Sequence, residues 1–331
     1  MLKNKIQGVI YGMAIGDAMG MPSELWARKK IRNYFSGYIT DFLDGPEENE
    51  AAKNYKKTQF TDDTAQALVI LDSLFENNFV PDKNIIAKNL LVWAEENNAF
   101  ENNILGPTSK EALKLIKQNI DPSQITKKAL SNGASMRIAP IGLLFKPNQH
   151  NELIDYVFKV SQVTHTSDIA ISGASIIATA VSCAMYGLSF DQILENIYFV
   201  DDLALKVASE TYSPSLTKII KLAITIAKKF ENRDIEFIDE LYDLIGAGVN
   251  ISESVPCAIA IAYYAKDVNK AAFLSANLGV DTDTIGAMAC AICGAYTGIE
   301  KINKNFVKSI QENNNINFEY YVEKIESYIS K

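Results

Sequence analysis

Two short acidic stretches, Thr61-Asp62-Asp63-Thr64 and Asp281-Thr282-Asp283-Thr284, each open an apolar helical pattern. Four carboxylates and four hydroxyls in such similar settings form an oxygen ligand set for hard divalent cations. Magnesium or manganese suits it better than zinc, which usually recruits His or Cys. Taken singly, each stretch reads first as a helix cap, because Thr and Asp accept hydrogen bonds from free first-turn amides and their charge suits the positive end of the helix dipole. Two stretches together change that balance. Converging carboxylates repel one another, and divalent cations relieve the repulsion. Asp62 and Asp63 point in different directions, so together they could serve two ions.

Glu24 is a third candidate carboxylate, in Gly16-Asp17-Ala18-Met19-Gly20-Met21-Pro22-Ser23-Glu24, where the glycines and Pro22 end a helix in a tight turn. Asp17 reads as structural, satisfying backbone amides or pairing with an arginine. Asn132-Gly133-Ala134-Ser135-Met136-Arg137, ahead of Ile138-Ala139-Pro140-Ile141-Gly142, and Gly106-Pro107-Thr108-Ser109 are loop-to-helix junctions. Their exposed amides could receive phosphate, or they are plain turns. His165, in Thr164-His165-Thr166-Ser167-Asp168, is assigned a substrate contact rather than acid–base work, and His150 reads as solvent-exposed. No nucleophilic triad, Walker loop or dinucleotide fingerprint is present.

Helical periodicity supplies the elements that must position these residues. Ala67, Leu68, Leu71, Leu74 and Phe75 share one face, as do Phe237, Ile238, Leu241, Leu244 and Ile245. Similar patterns run through about 83–97, 109–118, 151–161, 167–186, 215–230, 253–265, 284–298 and 317–329, and strand-like alternation is nearly absent. The polar, aperiodic stretch from Gly37 to Phe60 reads as a long loop, and loops of that length are often lids or binding loops. No linker divides the chain, so an all-α fold in a single domain spanning 1–331 is expected.

The 331 residues are 48% hydrophobic and 22% charged, an ordinary globular composition. A net charge of -8 argues against a general nucleic-acid or anionic-membrane surface. Cys183, Cys257, Cys290 and Cys293 sit in small, apolar helical contexts and read as reduced core residues, which fits a cytoplasmic location. Asp17 interrupts the apolar run after Lys3 and Lys5, against a signal peptide. The stretch from Ile169 to Met185 imitates a membrane span but carries Ser172, Ser175, Thr179 and Ser182, so a buried core helix is expected.

In their order along the chain these motifs resemble the ADP-ribosylglycohydrolase family, the all-helical dimetal hydrolases related to dinitrogenase reductase-activating glycohydrolase. The resemblance runs from about Ile6 to Gly298 and rests on Gly12–Ala18, Phe60–Thr64, Asn132–Arg137, Thr164-His165 and Asn277–Met288. It implies that Glu24, Thr61, Asp62, Asp63, Asp281, Asp283 and Thr284 ligate two magnesium or manganese ions. It also implies that Gly106, Pro107, Thr108, Ser109, Asn132, Gly133, Ala134, Ser135, Met136 and His165 line a phosphate and ribose pocket. Val280 departs from the family, which usually has a second glycine there; a branched side chain would narrow the pocket or disfavour an unusual backbone conformation. Pro22–Trp26, Leu105–Lys110 and Glu253–Ala258 are closer to a bacterial branch whose members look like enzymes for small ribosides.

The implied chemistry is hydrolysis at ribose C1, with Glu24 and Asp62 as the acid–base candidates. The implied partner is a small ribosyl or ADP-ribosyl molecule, or an ADP-ribosylated protein. Two alternatives stay open: a catabolic hydrolase of a small N- or O-riboside, and a non-catalytic binding protein.

Overall fold

Glycine recurs every fourth residue at Gly8, Gly12, Gly16 and Gly20, and this spacing puts all four on one stripe of the first helix, α1 (Leu2–Gly20). A Cβ on these positions would overlap the main-chain carbonyl oxygens of Gly294, Cys290, Gly286 and Thr282 in turn. All four of these residues lie on α14 (Thr282–Thr297). The two helices therefore run antiparallel with their backbones in contact, a closeness that only small residues permit.

The computed structural model describes residues 2–102 and 104–331. Between α1 and α14 the chain forms α2 (Arg28–Tyr34), α3 (Asp62–Glu76), α4 (Lys83–Glu96), α5 (Pro107–Lys117), α6 (Ser123–Thr126) and α7 (His150–Ser161). It continues through α8 (Asp168–Met185), α9 (Phe190–Ala204), α10 (Leu216–Lys229), α11 (Asp234–Ile245), α12 (Ile251–Ala265) and α13 (Val268–Ala276). After α14 come α15 (Lys304–Asn313) and α16 (Phe318–Ile329). Among the described residues there is no strand, only isolated bridges at Trp26–Val280, Ser131–Asn250 and Ser167–Ser209.

α14 lies at the centre, against α1, α13, α12 and α8. α8 is long and apolar enough to cross a membrane, yet all of it is buried in this core, as its serines and threonine imply. One apolar cluster takes in residues from α1 through α16. The four cysteines are free and buried in it, and burial raises all four thiol pKa values, which keeps them protonated.

Every helix expected from periodicity forms, within two residues at most ends. Leu244 is the exception on its face, being 56% exposed. The 37–60 stretch is helix-free. It is tied down by Asn49, whose Nδ2 donates to Glu24 O (2.9 Å), and by Asn277, which exchanges hydrogen bonds with the Ile39 main chain (2.8 Å each). α2, α6, α9, α13 and α15 were not anticipated. α9 has a regular apolar face (Ile193, Leu194, Ile197, Val200, Ala204) and a capping box at Ser189 and Gln192.

Gly16→Ala should destabilise the protein by about 3 kcal/mol or more, because backbone cannot retreat as a flexible side chain can. Gly106→Ala, which meets open space, should leave thermal stability unchanged. Calorimetric melting of the two variants checks the contrast.

Candidate functional site

Where α1 ends, its last turn is fastened to the start of α14. Thr282 Oγ1 donates to Gly20 O (2.8 Å), and Ser23 Oγ lies 2.8 Å from Ala276 O and 3.1 Å from Thr282 Oγ1. The next residues form a short clasp with the loop before α14: Leu25 N donates to Val280 O (2.6 Å) and Val280 N to Trp26 O (2.8 Å). Both Leu25 (φ 57°) and Val280 (φ 60°) are left-handed. That conformation costs a non-glycine residue about 1–2 kcal/mol, and a β-branched one is an outlier there. Val280 thus takes the strained backbone directly, and the clasp holds Glu24 beside the second acidic stretch.

Asp17, one turn before the end of α1, organises the first stretch. Its Oδ1 accepts from Thr61 N (2.8 Å) and Thr61 Oγ1 (2.9 Å), and its Oδ2 from Thr64 N (3.0 Å) and Thr64 Oγ1 (2.6 Å). The expectation that each stretch caps its own helix is corrected here. Neither Thr61 nor Asp281, the N-cap residues, makes a side-chain cap bond, and Asp17 caps α3 from another helix. The stretches' own side chains are released to face one another. Asp17 is structural in the manner expected, through amides rather than an arginine. With four donors on its two oxygens its acceptor capacity is filled.

Thr61 Oγ1 lies 2.9 Å from Asp63 Oδ2 and 3.3 Å from Asp283 Oδ2. Asp17, Asp63 and Asp283 each offer a carboxylate oxygen within 4.8 Å of the others. Thr284 stands between Asp63 and Asp281, and Glu24 stands beside Asp283. Asn132 Nδ2 donates to Asp281 Oδ2 and to Ser254 Oγ (3.0 Å). Asp62 Oδ2 accepts from Gln66 Nε2 (2.6 Å), and Gln66 Oε1 accepts from Arg137. All seven expected ligands are thus brought to one place.

Burial, then the neighbouring carboxylates, raises the acids: Asp17 and Asp281 to about 7 and Glu24 to about 8. Asp63, by burial, reaches about 6 against the Thr284 and Thr61 hydrogen bonds, and Asp62 and Asp283 are pushed well above the usual range. Asp63 Oδ1 and Asp283 Oδ1 are buried with no hydrogen-bond partner. Orphaned buried carboxylate oxygens are costly unless something positive meets them. The donor set is all oxygen, so hard divalent cations fit it.

A cavity of about 180 Å³ opens on these groups. Glu24, Asp62, Asp63, Asp281, Asp283 and Thr284 line it, together with Gly106, Pro107, Ser109, Asn132, Gly133 and Met136. The amides of the first turn of α5 have no side-chain cap. Thr61 instead faces a second cavity. Thr108, Ala134, Ser135 and His165 stand outside the lining. Thr108 Oγ1 meets Ser131 Oγ at 2.9 Å. His165 is fully buried one layer back, its Nε2 3.2 Å from Ser131 Oγ and its ring against Gly133. Burial, with Arg137 nearby, lowers its pKa to about 3 and keeps it neutral. It supports the wall through Ser131.

Sequence reading missed Ser131 and Val249 in the lining, and the Arg137–Gln66 support of Asp62. Arg137 is 1% exposed and also donates to Thr164 Oγ1 (2.5 Å). Gln66, four residues after Asp62 on α3, was the available signal.

The family model for ADP-ribosylglycohydrolase matches residues 1–330. The chain belongs to the ADP-ribosylglycohydrolase family. Members of this family are enzymes that hydrolyse ADP-ribose glycosidic bonds. Among relatives, an uncharacterized Escherichia coli (strain K12) protein, YegU, is 40% identical over 329 residues, 99% of this chain and 98% of YegU. ADP-ribosylhydrolase ARH3 of Xenopus tropicalis is 26% identical, over 93% of this chain and 91% of its own. A solved structure titled "ADP-ribosylglycohydrolase-related protein complex" superimposes with a TM-score of 0.74 over 99% of both chains at 20% identity, which establishes the shared all-helical ADP-ribosylglycohydrolase-like fold.

Because these carboxyls have raised pKa values when folded, the metal-free folded chain binds more protons than the unfolded one between about pH 4 and pH 8. Stability therefore falls as pH rises through that window. A pKa difference of two is worth about 2.7 kcal/mol. Chelator-treated protein should melt about 5 °C or more lower at pH 8 than at pH 5, and magnesium or manganese should restore most of that loss at pH 8. Parallel melting curves with and without the ions test this.

Proposed function

We propose that this enzyme hydrolyses the glycosidic bond at ribose C1 of an ADP-ribosyl conjugate, the whole chain 1–331 acting as one domain with two divalent cations, magnesium or manganese. The observation that carries the reading is the pair of buried, unpartnered carboxylate oxygens, Asp63 Oδ1 and Asp283 Oδ1, among carboxylates drawn from both ends of the chain. Glu24, Thr61, Asp62, Asp63, Asp281, Asp283 and Thr284 would hold the ions. When bound, such ions supply a lowered water pKa and positive charge for the ribose hydroxyls.

The chain's own residues do the rest. Asn132 orients Asp281, and Asp17 fixes Thr61 and Thr64 so that Asp62 and Asp63 face the cavity. First-turn amides of α5 and the Asn132–Gly133 wall receive the phosphate and ribose side of the substrate. Water adds its oxygen to C1, the leaving group departs with the bonding electrons, and the proton released by the water ends on that leaving group. Glu24 and Asp62 border the cavity and are the two groups placed to carry that proton.

A smaller riboside lacking ADP is the second reading. It is favoured by one observation: among the described residues no Lys or Arg lines the cavity, although diphosphates are commonly met by such cations.

Asp63→Asn and Asp283→Asn should each lower turnover of the ribosyl substrate by at least about a hundredfold, more than loss of an outer support costs, while melting at or above the wild-type temperature. Product release from ADP-ribosyl-arginine, ADP-ribosyl-serine and simple nucleosides, with magnesium or manganese and with chelator, provides the assay. Near-normal activity of either variant contradicts the metal-centre reading; ribose release from nucleosides alone selects the second reading.

A further inference from the structure

Beside the carboxylate cavity lies a larger one, of about 310 Å³, and Asp62 and Ile104 belong to the walls of both. We infer that this second cavity is the leaving-group subsite, and that it takes an uncharged nitrogenous group of nucleobase or carboxamide type that carries both N–H donors and acceptors. The inference rests on the functional reading above, since it requires a ribosyl bond to be cleaved at the carboxylates.

Position is the first argument. The groups suited to phosphate and ribose, Gly106, Pro107, Ser109 and residues 131–133, line only the smaller cavity. A substrate whose C1 sits at the carboxylates with its sugar side on those groups has the cavity beyond Asp62 open to the other partner of the scissile bond.

Polarity is the second. One N–H of Asn97 Nδ2 goes to Trp93 O (2.8 Å), and both N–H of Asn314 Nδ2 go to Thr58 O (2.8 Å) and Ile310 O (3.0 Å). Asn314 therefore has only its Oδ1 left to offer, as an acceptor, whereas Asn97 keeps its Oδ1 and one N–H. Asn54, Asn102 and Tyr55 line the same cavity. Gln59 is the reverse of Asn314: its Oε1 accepts from Lys56 N (2.7 Å), which leaves Nε2 as a donor. Amide and hydroxyl side chains that offer both acceptors and donors complement a group with N–H donors and a carbonyl or ring-nitrogen acceptor.

Charge and shape narrow the class. Among the described residues no Lys or Arg lines this cavity, so phosphate and carboxylate leaving groups find no cation there and are disfavoured. Trp93 and Phe60 supply apolar wall suited to a flat ring. The volume exceeds that around the carboxylates, more room than a lone hydroxyl or methoxy group uses.

Ala65 lines this cavity from α3 and has no part in the carboxylate cluster, so Ala65→Phe fills it without touching the cluster. The test compares wild type, Ala65→Phe and Asn97→Leu on conjugates that share one glycone, ribosyl or ADP-ribosyl, and carry adenine, nicotinamide, methanol or phosphate as leaving group. For the wild type, kcat/KM for the nitrogenous conjugates should exceed that for the phosphate by about a hundredfold. Ala65→Phe should cut the nitrogenous values by about tenfold or more and spare the methoxy conjugate. Free adenine or nicotinamide should inhibit the wild type and not Ala65→Phe, while inhibition by ribose or ADP-ribose stays equal in both. Asn97→Leu, on another wall, should shift the same ratios in the same direction by a few-fold, so the inference remains exposed if Ala65→Phe fails to fold. Equal losses on every conjugate, weakened ribose or ADP-ribose inhibition, or preference for the phosphate would overturn the subsite while leaving ribosyl hydrolysis standing. Failure to turn over any conjugate with metal present would remove the functional reading and the subsite with it.

Discussion

The close contact of α1 with α14 is the constraint from which the site follows. Glycine stripes let the two backbones touch, and that contact fixes the end of α1 against the start of α14 to within one hydrogen bond, Thr282 Oγ1 to Gly20 O. Asp17 is part of the same helix, one turn back, and reaches α3. Three helices far apart in sequence therefore present their ends at one point. Larger side chains on the stripe would separate α1 from α14, and the acidic stretches would lose each other before any of their own residues changed.

What that contact brings together is electrostatically unfavourable in a bare protein. Six carboxyl groups share a buried region, and burial is the largest cause of every raised pKa among them. Hydroxyls and amides soften the repulsion without neutralising it: Thr61 sits among three carboxylates, Thr284 between two, and Asn132 on Asp281. The nearest buried cation, Arg137, is held one residue away behind Gln66. Among the described residues no positive side chain lines the carboxylate face, which leaves that face open to ions from solution and a family of metal-dependent hydrolases as its natural setting.

The proposed chemistry was legible in the sequence because it rests on contiguous motifs. Thr61–Thr64 and Asp281–Thr284 show a cluster of carboxylates and hydroxyls without any knowledge of tertiary contacts, and long amphipathic helices such as α4, α10 and α16 show their period. Less legible was anything that depends on a partner elsewhere. Thr61 reads as a cap until Asp17 is seen doing that work from α1. His165 reads as a substrate contact, yet it stands behind Gly133, and a lone residue type carries no sign of which layer it occupies. The glycine stripe was visible as a spacing of four, but its meaning depends on a second stripe more than 260 residues away. Val280 is the reverse case: its departure from glycine was plain, and the structure supplies the consequence, a left-handed β-branched residue within the clasp that holds Glu24.

Counting the ions bound per chain bears most directly on whether these converging carboxylates form a two-ion centre. Titration of chelator-treated protein with manganese, followed by calorimetry and by the electron paramagnetic resonance of the free ion, should give two ions per chain, with magnesium displacing both and with fewer than two retained by Asp283→Asn. Absence of saturable binding, or binding that Asp283→Asn leaves unaltered, would contradict the account and leave the buried acidic cluster without a physical reason for its cost.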